Sequence, residues 1–258
     1  VSALCGKNNL IDIMDYLLFG ISFVAAFIFA LGGVGAAIIL IPAMVSLGIP
    51  ISAAKPIGLF YNTVSLTGAS ISNIKNKRLD FRLGIPLIIF SFIFAAVGAY
   101  ASKFIPNRQI VILFICFLIF SGLMFLFFKS KGLGNYREDR PIIKLSLIGA
   151  IAGLLSGVLG IGGGGIISPL MLMLGFNPKK TAAITAFVVP FSAFSAFLTY
   201  WSMGAINWSI LAVVSVGGIG GATLGTIFMQ KKLNPSLVKK ILAVILLLMA
   251  AKMSLKLF

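Results

Sequence analysis

The chain has no histidine, five acidic residues and two cysteines among its 258 positions. Each shortage closes off a class of chemistry. Without histidine, the commonest general base and zinc ligand is gone. Cys5 and Cys116 are far apart and form no metal or disulfide pattern. Cys116 lies in an apolar run, where a small buried residue is the expectation. Asp12 and Asp15 stand near the start of the first apolar run, Asp80 in a loop and Glu138–Asp139 in a charged linker, so no carboxylate is expected deep in a span. Intramembrane proton relays are built on such groups, as is most hydrolytic and metal chemistry. The sequence therefore argues against an enzyme. It calls for no cofactor and no metal, and offers no candidate for carboxylate-based proton coupling.

What the chain has in quantity is apolar surface. It is 60% hydrophobic and only 10% charged. Uncharged runs extend over Tyr16–Ala54, Leu145–Pro178 and Thr181–Gln230. A helical crossing takes about 20 residues, so these runs hold several. They are apolar on every face, unlike the alternating short strands of a membrane barrel. The reading is an all-α polytopic protein whose partner is the lipid bilayer. The formal charge of +16 would point a soluble chain towards nucleic acid. Here the bases fall in short loops between apolar runs, so no nucleic-acid partner is expected and the bases become topology signals.

The chain repeats itself at an offset of 127 residues: Gly35 falls on Gly162, Pro42 on Pro169, Gly48 on Gly175 and Gly98 on Gly225. "GAAIILIPAMVSLG" (Gly35–Gly48) thus aligns with "GGGGIISPLMLMLG" (Gly162–Gly175). Two homologous helical halves follow, a first repeat over 1–128 and a second over 145–258, joined by a basic linker over 129–144. Each half holds about five apolar segments, giving about 8–10 transmembrane segments in all. The second of each, 35–48 and 163–175, is only about 20 Å long as helix, less than the bilayer core. These are expected to half-span the membrane or to continue a neighbour.

Charge bears on how the halves are oriented. If all five segments cross the membrane, the second half is inverted and the bases divide 15 against 6 between the two faces. If the short segments dip in and return, the halves are parallel and the division is 12 against 9. The positive-inside rule favours the first. The expectation is an inverted-topology repeat with linker 129–144 on the cytoplasmic side.

Glycine and proline interrupt the greasiest stretches. Gly160–Gly165 matches a dinucleotide fingerprint by letter, yet no strand precedes it and no acid stands in residues 178–190, so that reading fails. A glycine bend ahead of a short helix leaves the first N–H groups unpaired. At membrane depth such groups persist where protein buries them or water reaches them. They suit an anion, as does the positive end of the helix dipole. The same device precedes the other short segment at Gly32–Gly35. Close helix packing is the plainer use of small residues; the repetition of glycine run, short helix and proline in both halves favours a binding site. Pro42 and Pro169 are expected to mark kinks or further breaks.

These stretches, "GVLGIGGGGIISPLMLMLGFNPKKTAAITAF" (Gly157–Phe187), "GGVGAAIILIPAMVSLGIPISAAKPIGLF" (Gly32–Phe60) and "MGAINW" (Met203–Trp208), resemble the sulfite exporter TauE/SafE family of membrane permeases. The resemblance covers nearly the whole chain. It implies transport of small, mainly sulfur-containing anions such as sulfite, sulfoacetate and other organosulfonates, or thiosulfate, across a cell membrane, here expected to be a prokaryotic inner membrane.

The expected substrate-binding residues are Gly33, Gly35, Gly162, Gly163, Gly164 and Gly165 at the breaks, with Asn62, Thr63, Thr185 and Ser192 from the third segments. Thr63, Thr67 and Ser70 share a helix face, as do Thr185, Ser192 and Ser195. Such hydroxyls either donate to sulfonate oxygens or bond neighbouring helices. Lys55, at the head of the third segment, is expected to snorkel to the interface, with weak electrostatic attraction of an anion as its other use. The function expected is alternating-access transport of a small anion held at facing helix breaks. An anion channel and a non-transporting scaffold subunit are the alternatives.

Overall fold

A computed structural model describes the backbone of residues 2–29, 35–75, 79–127, 139–204, 206–232 and 235–257, and the side chains of these outside 2–13, 226–242 and 256–257. Gly33 and most of the linker lie outside the described residues. Those described form ten α-helices: α1 Ser2–Phe29, α2 Ala37–Ser46, α3 Ile51–Lys75, α4 Phe81–Ala101, α5 Asn107–Phe127, α6 Ile142–Leu159, α7 Gly164–Met173, α8 Pro178–Ser202, α9 Trp208–Lys232 and α10 Pro235–Leu257, with a 3-10 turn at Ser102–Phe104. Five are long and apolar enough to cross a membrane by length and composition: α4 with its following turn, α5, α6, α8 and the Trp208–Gly225 part of α9. On α4, Ile85, Ile89, Ile93 and Val97 are all exposed. In water that stripe would drive aggregation; in a bilayer it faces lipid. The chain is an all-helical polytopic membrane protein.

Element boundaries recur at the offset seen in the sequence. Gly164 follows Ala37 by 127 positions, as Pro178 follows Ile51 and Trp208 follows Phe81. The backbone repeats too. Gly48 and Gly175 both have φ +91°, the left-handed region that costs glycine nothing. Each closes its short helix with the same pair of bonds: Gly48 and Ile49 donate to Val45 and Met44, and Gly175 and Phe176 donate to Leu172 and Met171. These are Schellman caps. Pro42 and Pro169 sit inside α2 and α7. Both helices run on through them, so the expected further breaks are absent; each proline still leaves its helix one donor short.

The two halves interlock. α3 and α8 pack together at the centre, α4 lies along α6, α1 along α9, and α5 pairs with α10. Swapping every helix for its counterpart in the other half reproduces the same list. Glycines make the two crossed pairs close. Gly149, Gly153 and Gly157 line one face of α6, and a Cβ on any of them would run into the backbone of Leu87, Ser91 or Ala95 of α4. Gly217, Gly221 and Gly225 of α9 meet the backbone of Phe19, Phe23 and Phe27 of α1 in the same way. A small residue every fourth position lets backbones approach where no side chain intervenes. Cys116 is exposed on α5, not buried as expected, because α5 turns it away from the packed face that holds Phe114, Phe117 and Leu118.

Polar contacts at the two ends give the helix directions. At one end, Asp80, just before α4, takes Lys180 of α8 at 2.9 Å and Arg140, just before α6, at 3.6 Å. At the other, Ser102 after α4 lies 2.7 Å from the Tyr200 hydroxyl near the end of α8, and Lys55 near the start of α3 donates to Ser102 over 3.2 Å. So α3 and α8 run antiparallel. Arg140 precedes α6 and Lys180 follows the start of α8, so the chain leaves one end along α6 and returns to it along α7.

Asp80 carries a pH signature. Desolvation pushes its carboxyl up, but the Lys180 hydrogen bond, with the charges of Lys180 and Arg140, outweighs this and holds it below the usual carboxylate range. A depressed native value contributes stability that is complete above the ordinary aspartate value of about 3.9 and disappears as pH falls through the native value. Asp80→Asn should therefore destabilise the protein slightly at pH 6, by under about 1 kcal/mol for a partly exposed cluster, seen as a small drop in melting temperature. The gap should close towards pH 2, and a pH series of thermal melts in detergent checks this.

Candidate functional site

The two short helices begin at the same place. Asn62, near the midpoint of α3, is fully buried. Its Oδ1 accepts the N–H of Ala37, the first residue of α2, at 3.0 Å. Its Nδ2 donates to the carbonyl of Ile161, in the break before α7, at 2.7 Å. One carboxamide from the first half thus spans both helix breaks. Glycine at each break makes room for it. A Cβ on Gly35 would sit 2.7 Å from Asn62 Nδ2, and one on Gly162 would sit 2.7 Å from the same atom and 3.1 Å from Val189. Both glycines hold positive φ, +86° and +77°, so other residues are excluded twice over. A Cβ on Gly165 would meet Ile38 of α2 and Phe117 at 2.7 Å each; the first turns of α2 and α7 are in contact range.

The expected residues divide into those that meet here and those that do not. Gly35, Asn62, Gly162 and Ser192 come together, with Ser192 Oγ donating to the Val189 carbonyl at 3.1 Å and lying 3.4 Å from the Gly162 carbonyl. Gly163, Gly164 and Gly165 continue the same break. The Gly164 N–H turns back to the Gly162 carbonyl at 2.9 Å. Among the described residues the N–H groups of Gly163 and Gly165 make no hydrogen bond. Thr185 lies two turns away on α8, where it accepts from Ser168 of α7 at 3.1 Å. Thr63 is half-buried and donates to its own helix at Leu59. The wider hydroxyl stripes divide: Thr67 bonds Thr63 within α3, while Ser70 bonds Ala186 of α8 and Ser195 bonds Phe92 of α4.

Two expectations need correction. The amide at the head of α2 is not bare, because Asn62 caps it. Lys55 does not snorkel. It is 3% exposed, its ammonium hydrogen-bonded to Ser102 and set over the Tyr200 ring at 5.1 Å, because the turn after α4, the end of α8 and the Gly160 break enclose it. Sequence reasoning also missed several groups. Ser102 and Tyr200 gave no signal, being single polar residues at segment ends. The Ile161 carbonyl is backbone and invisible to composition. Ser65, by contrast, is one of the polar residues the sequence places on the third segment, and it stands 127 positions before Ser192. Ser65 and Ser156 are buried with no partner for their hydroxyls, and Ser156 borders Gly163.

A family model described as sulfite exporter TauE/SafE matches residues 18–253. "Probable membrane transporter protein YunE" of Bacillus subtilis is 24% identical over 264 residues, covering 92% of this chain and 96% of its own length. A "probable membrane transporter protein" of Haemophilus influenzae is 28% identical over 240 residues, 92% of this chain and 93% of its own. "Sulfite exporter TauE/SafE family protein 6" of Arabidopsis thaliana is 48% identical over 81 residues, which is 31% of this chain and 19% of that protein. No solved structure matches. With a family match that begins within α1, takes in α2 to α9 whole and runs to the last turn of α10, and with relatives matched over most of their length named as transporters, the chain belongs to the sulfite exporter TauE/SafE family of membrane transporters.

Proposed function

We propose that the chain moves small anions, foremost sulfur-containing oxyanions or organosulfonates such as sulfite, sulfoacetate and thiosulfate, by alternating access. The observation that carries this is the meeting of the α2 and α7 N-termini at Asn62, near mid-length of the central helix. Two helix dipoles present their positive ends to one point, and unpaired N–H groups at Gly163 and Gly165 suit oxyanion oxygens. Gly35, Asn62, Gly162–Gly165 and Ser192 form the binding residues in this reading, with Thr63 and Thr185 at its margins.

The working machine is a pair of inverted repeats, 1–128 and 145–258, with linker 129–144 on the cytoplasmic side of a prokaryotic inner membrane. The Asp80–Lys180 pair at one end and the Ser102–Tyr200 pair at the other support inversion; parallel halves would put the members of each pair on opposite faces. Charge adds support, since the Asp80 end is also the basic one. Gly35, Asn62 and Gly160–Gly165 are all buried. That closure fits an occluded step of an alternating cycle and speaks against an open channel.

The test is flux. Purified chain in proteoliposomes should take up labelled sulfite, sulfoacetate or thiosulfate at a rate that saturates with concentration and rises with an inside-positive potential. Uptake equal to that of empty liposomes for all three anions would overturn the reading, and a rate that never saturates would turn it towards a channel.

A further inference from the structure

Lys55 is a buried cation that the proposed site at Asn62 does not use. Its ammonium has three donors, of which one goes to Ser102 Oγ at 3.2 Å. The Tyr200 ring supplies a face at 5.1 Å. Tyr200 donates its own hydroxyl to the Gly157 carbonyl at 2.9 Å, and Ser102 donates to the Ala99 carbonyl at 2.8 Å, so both hydroxyls are held by helix backbone. Among the described residues Lys55 forms no salt bridge, and Asp80 lies at the far end of α4, paired with Lys180 and Arg140. A buried charge without a counter-charge destabilises a fold strongly, and within a membrane protein it marks a functional site by default. The lysine is also wedged against the second helix break: a Cβ on Gly160 would lie 2.7 Å from its Cα and Cβ. The other half has Ala182 at the matching position, so the charge is on one side of the pseudo-symmetric pair alone.

We propose that Lys55, Ser102 and Tyr200 form an entry subsite for a small oxyanion, at the end of the molecule opposite the Asp80 cluster. The anion supplies the missing counter-charge to the ammonium, and the hydroxyls of Ser102 and Tyr200 swing from helix carbonyls to its oxygens. From there it steps about two turns along α3 to Asn62. This deepens the anion-transport reading and rests on it.

The test uses the full chain in detergent with sulfite as probe, in buffer free of other oxyanions, beside flux in proteoliposomes. Wild-type protein should gain thermal stability with sulfite in a saturable way. Lys55→Met, which keeps the stem and deletes the charge, should melt at or above the wild-type temperature without sulfite and show no sulfite shift. Its KM for sulfite flux should rise at least tenfold. Tyr200→Phe retains the ring and should raise KM severalfold, which keeps the test alive if Lys55→Met does not fold. A sulfite shift of wild-type size in Lys55→Met, or unchanged KM values in both variants, would overturn the subsite while leaving transport intact. A lysine-dependent shift in a wild-type chain that moves no anion would keep the subsite and defeat the transport reading.

Discussion

Gly157→Leu should leave no folded, monodisperse protein after extraction. Gly157 is the innermost of three glycines on α6, and a Cβ there would lie against the Ala95 carbonyl, the Ala99 amide and Gly98 of α4. These are backbone atoms of a long helix, so no side chain can swing aside. The helices must part, and parting them also lifts Gly149 and Gly153 off Leu87 and Ser91. Overpacking by a methylene or two costs about 1–3 kcal/mol in an ordinary core; a leucine against backbone should exceed the upper value. The damage spreads further because the Tyr200 hydroxyl bonds the Gly157 carbonyl, tying α8 to the same spot. Gly20 of α1 has nothing within 4 Å of an added Cβ, and Gly20→Leu should extract and melt like wild type. Size-exclusion profiles and melting curves of the two variants side by side check the contrast. Equal behaviour would mean that the α4–α6 contact does not depend on small residues.

Asn62→Leu should abolish flux and cost about 2–5 kcal/mol of stability. The leucine keeps the branch at Cγ but is bulkier and has no polar atoms. It strands the Ala37 N–H and the Ile161 carbonyl, each in a buried place, and an orphaned buried group costs about 1–3 kcal/mol. Both orphans lie at the heads of the short helices, so the loss falls on the geometry that holds the two N-termini together. Asn62→Asp separates folding from function. One carboxylate oxygen still accepts from Ala37, the other faces the Ile161 carbonyl, and the new negative charge stands where an anion would bind. It should fold better than the leucine variant when protonated, yet carry no anion at neutral pH. Full flux in either variant would remove Asn62 from the mechanism.

The matched ends of the two short helices were legible in the sequence because glycine and proline are punctuation with fixed physical meaning. Gly48 and Gly175 each end a short helix in the same left-handed cap, and that demand survives even where the intervening side chains have diverged. The positions of the helices were legible for a similar reason, since apolar runs of bilayer length have few alternatives. The interlocking of the halves was not. Gly149, Gly153 and Gly157 announce a close neighbour, but spacing alone does not say that the neighbour is α4 of the other half. Asn62 stood out as an amide in an apolar segment, and the structure gives it the central place. Its opposite number at the offset is Val189, so symmetry would have pointed away from it. Lys55 reads as a snorkelling lysine from its place at a segment head; its burial comes from Ser102, Gly160 and Tyr200, about 50 to 150 residues further along the chain. The hydroxyl stripes were ambiguous on paper, and they divide between bonds within a helix, such as Thr67 to Thr63, and helix-to-helix bonds such as Ser70 to Ala186.

The central claim is that the place where the two half-helices meet is visited by water and anion from both sides of the membrane. It is tested most directly by alkylation of a Ser156→Cys variant, a position that borders Gly163 and leaves Asn62 in place, with Cys5 and Cys116 replaced by serine, reconstituted in liposomes. The expected result is slow labelling by a membrane-impermeant maleimide applied to either face, suppressed by sulfoacetate in a saturable manner. A thiol that stays unlabelled from both faces in folded protein, or labels at a rate that sulfoacetate does not change, would contradict it.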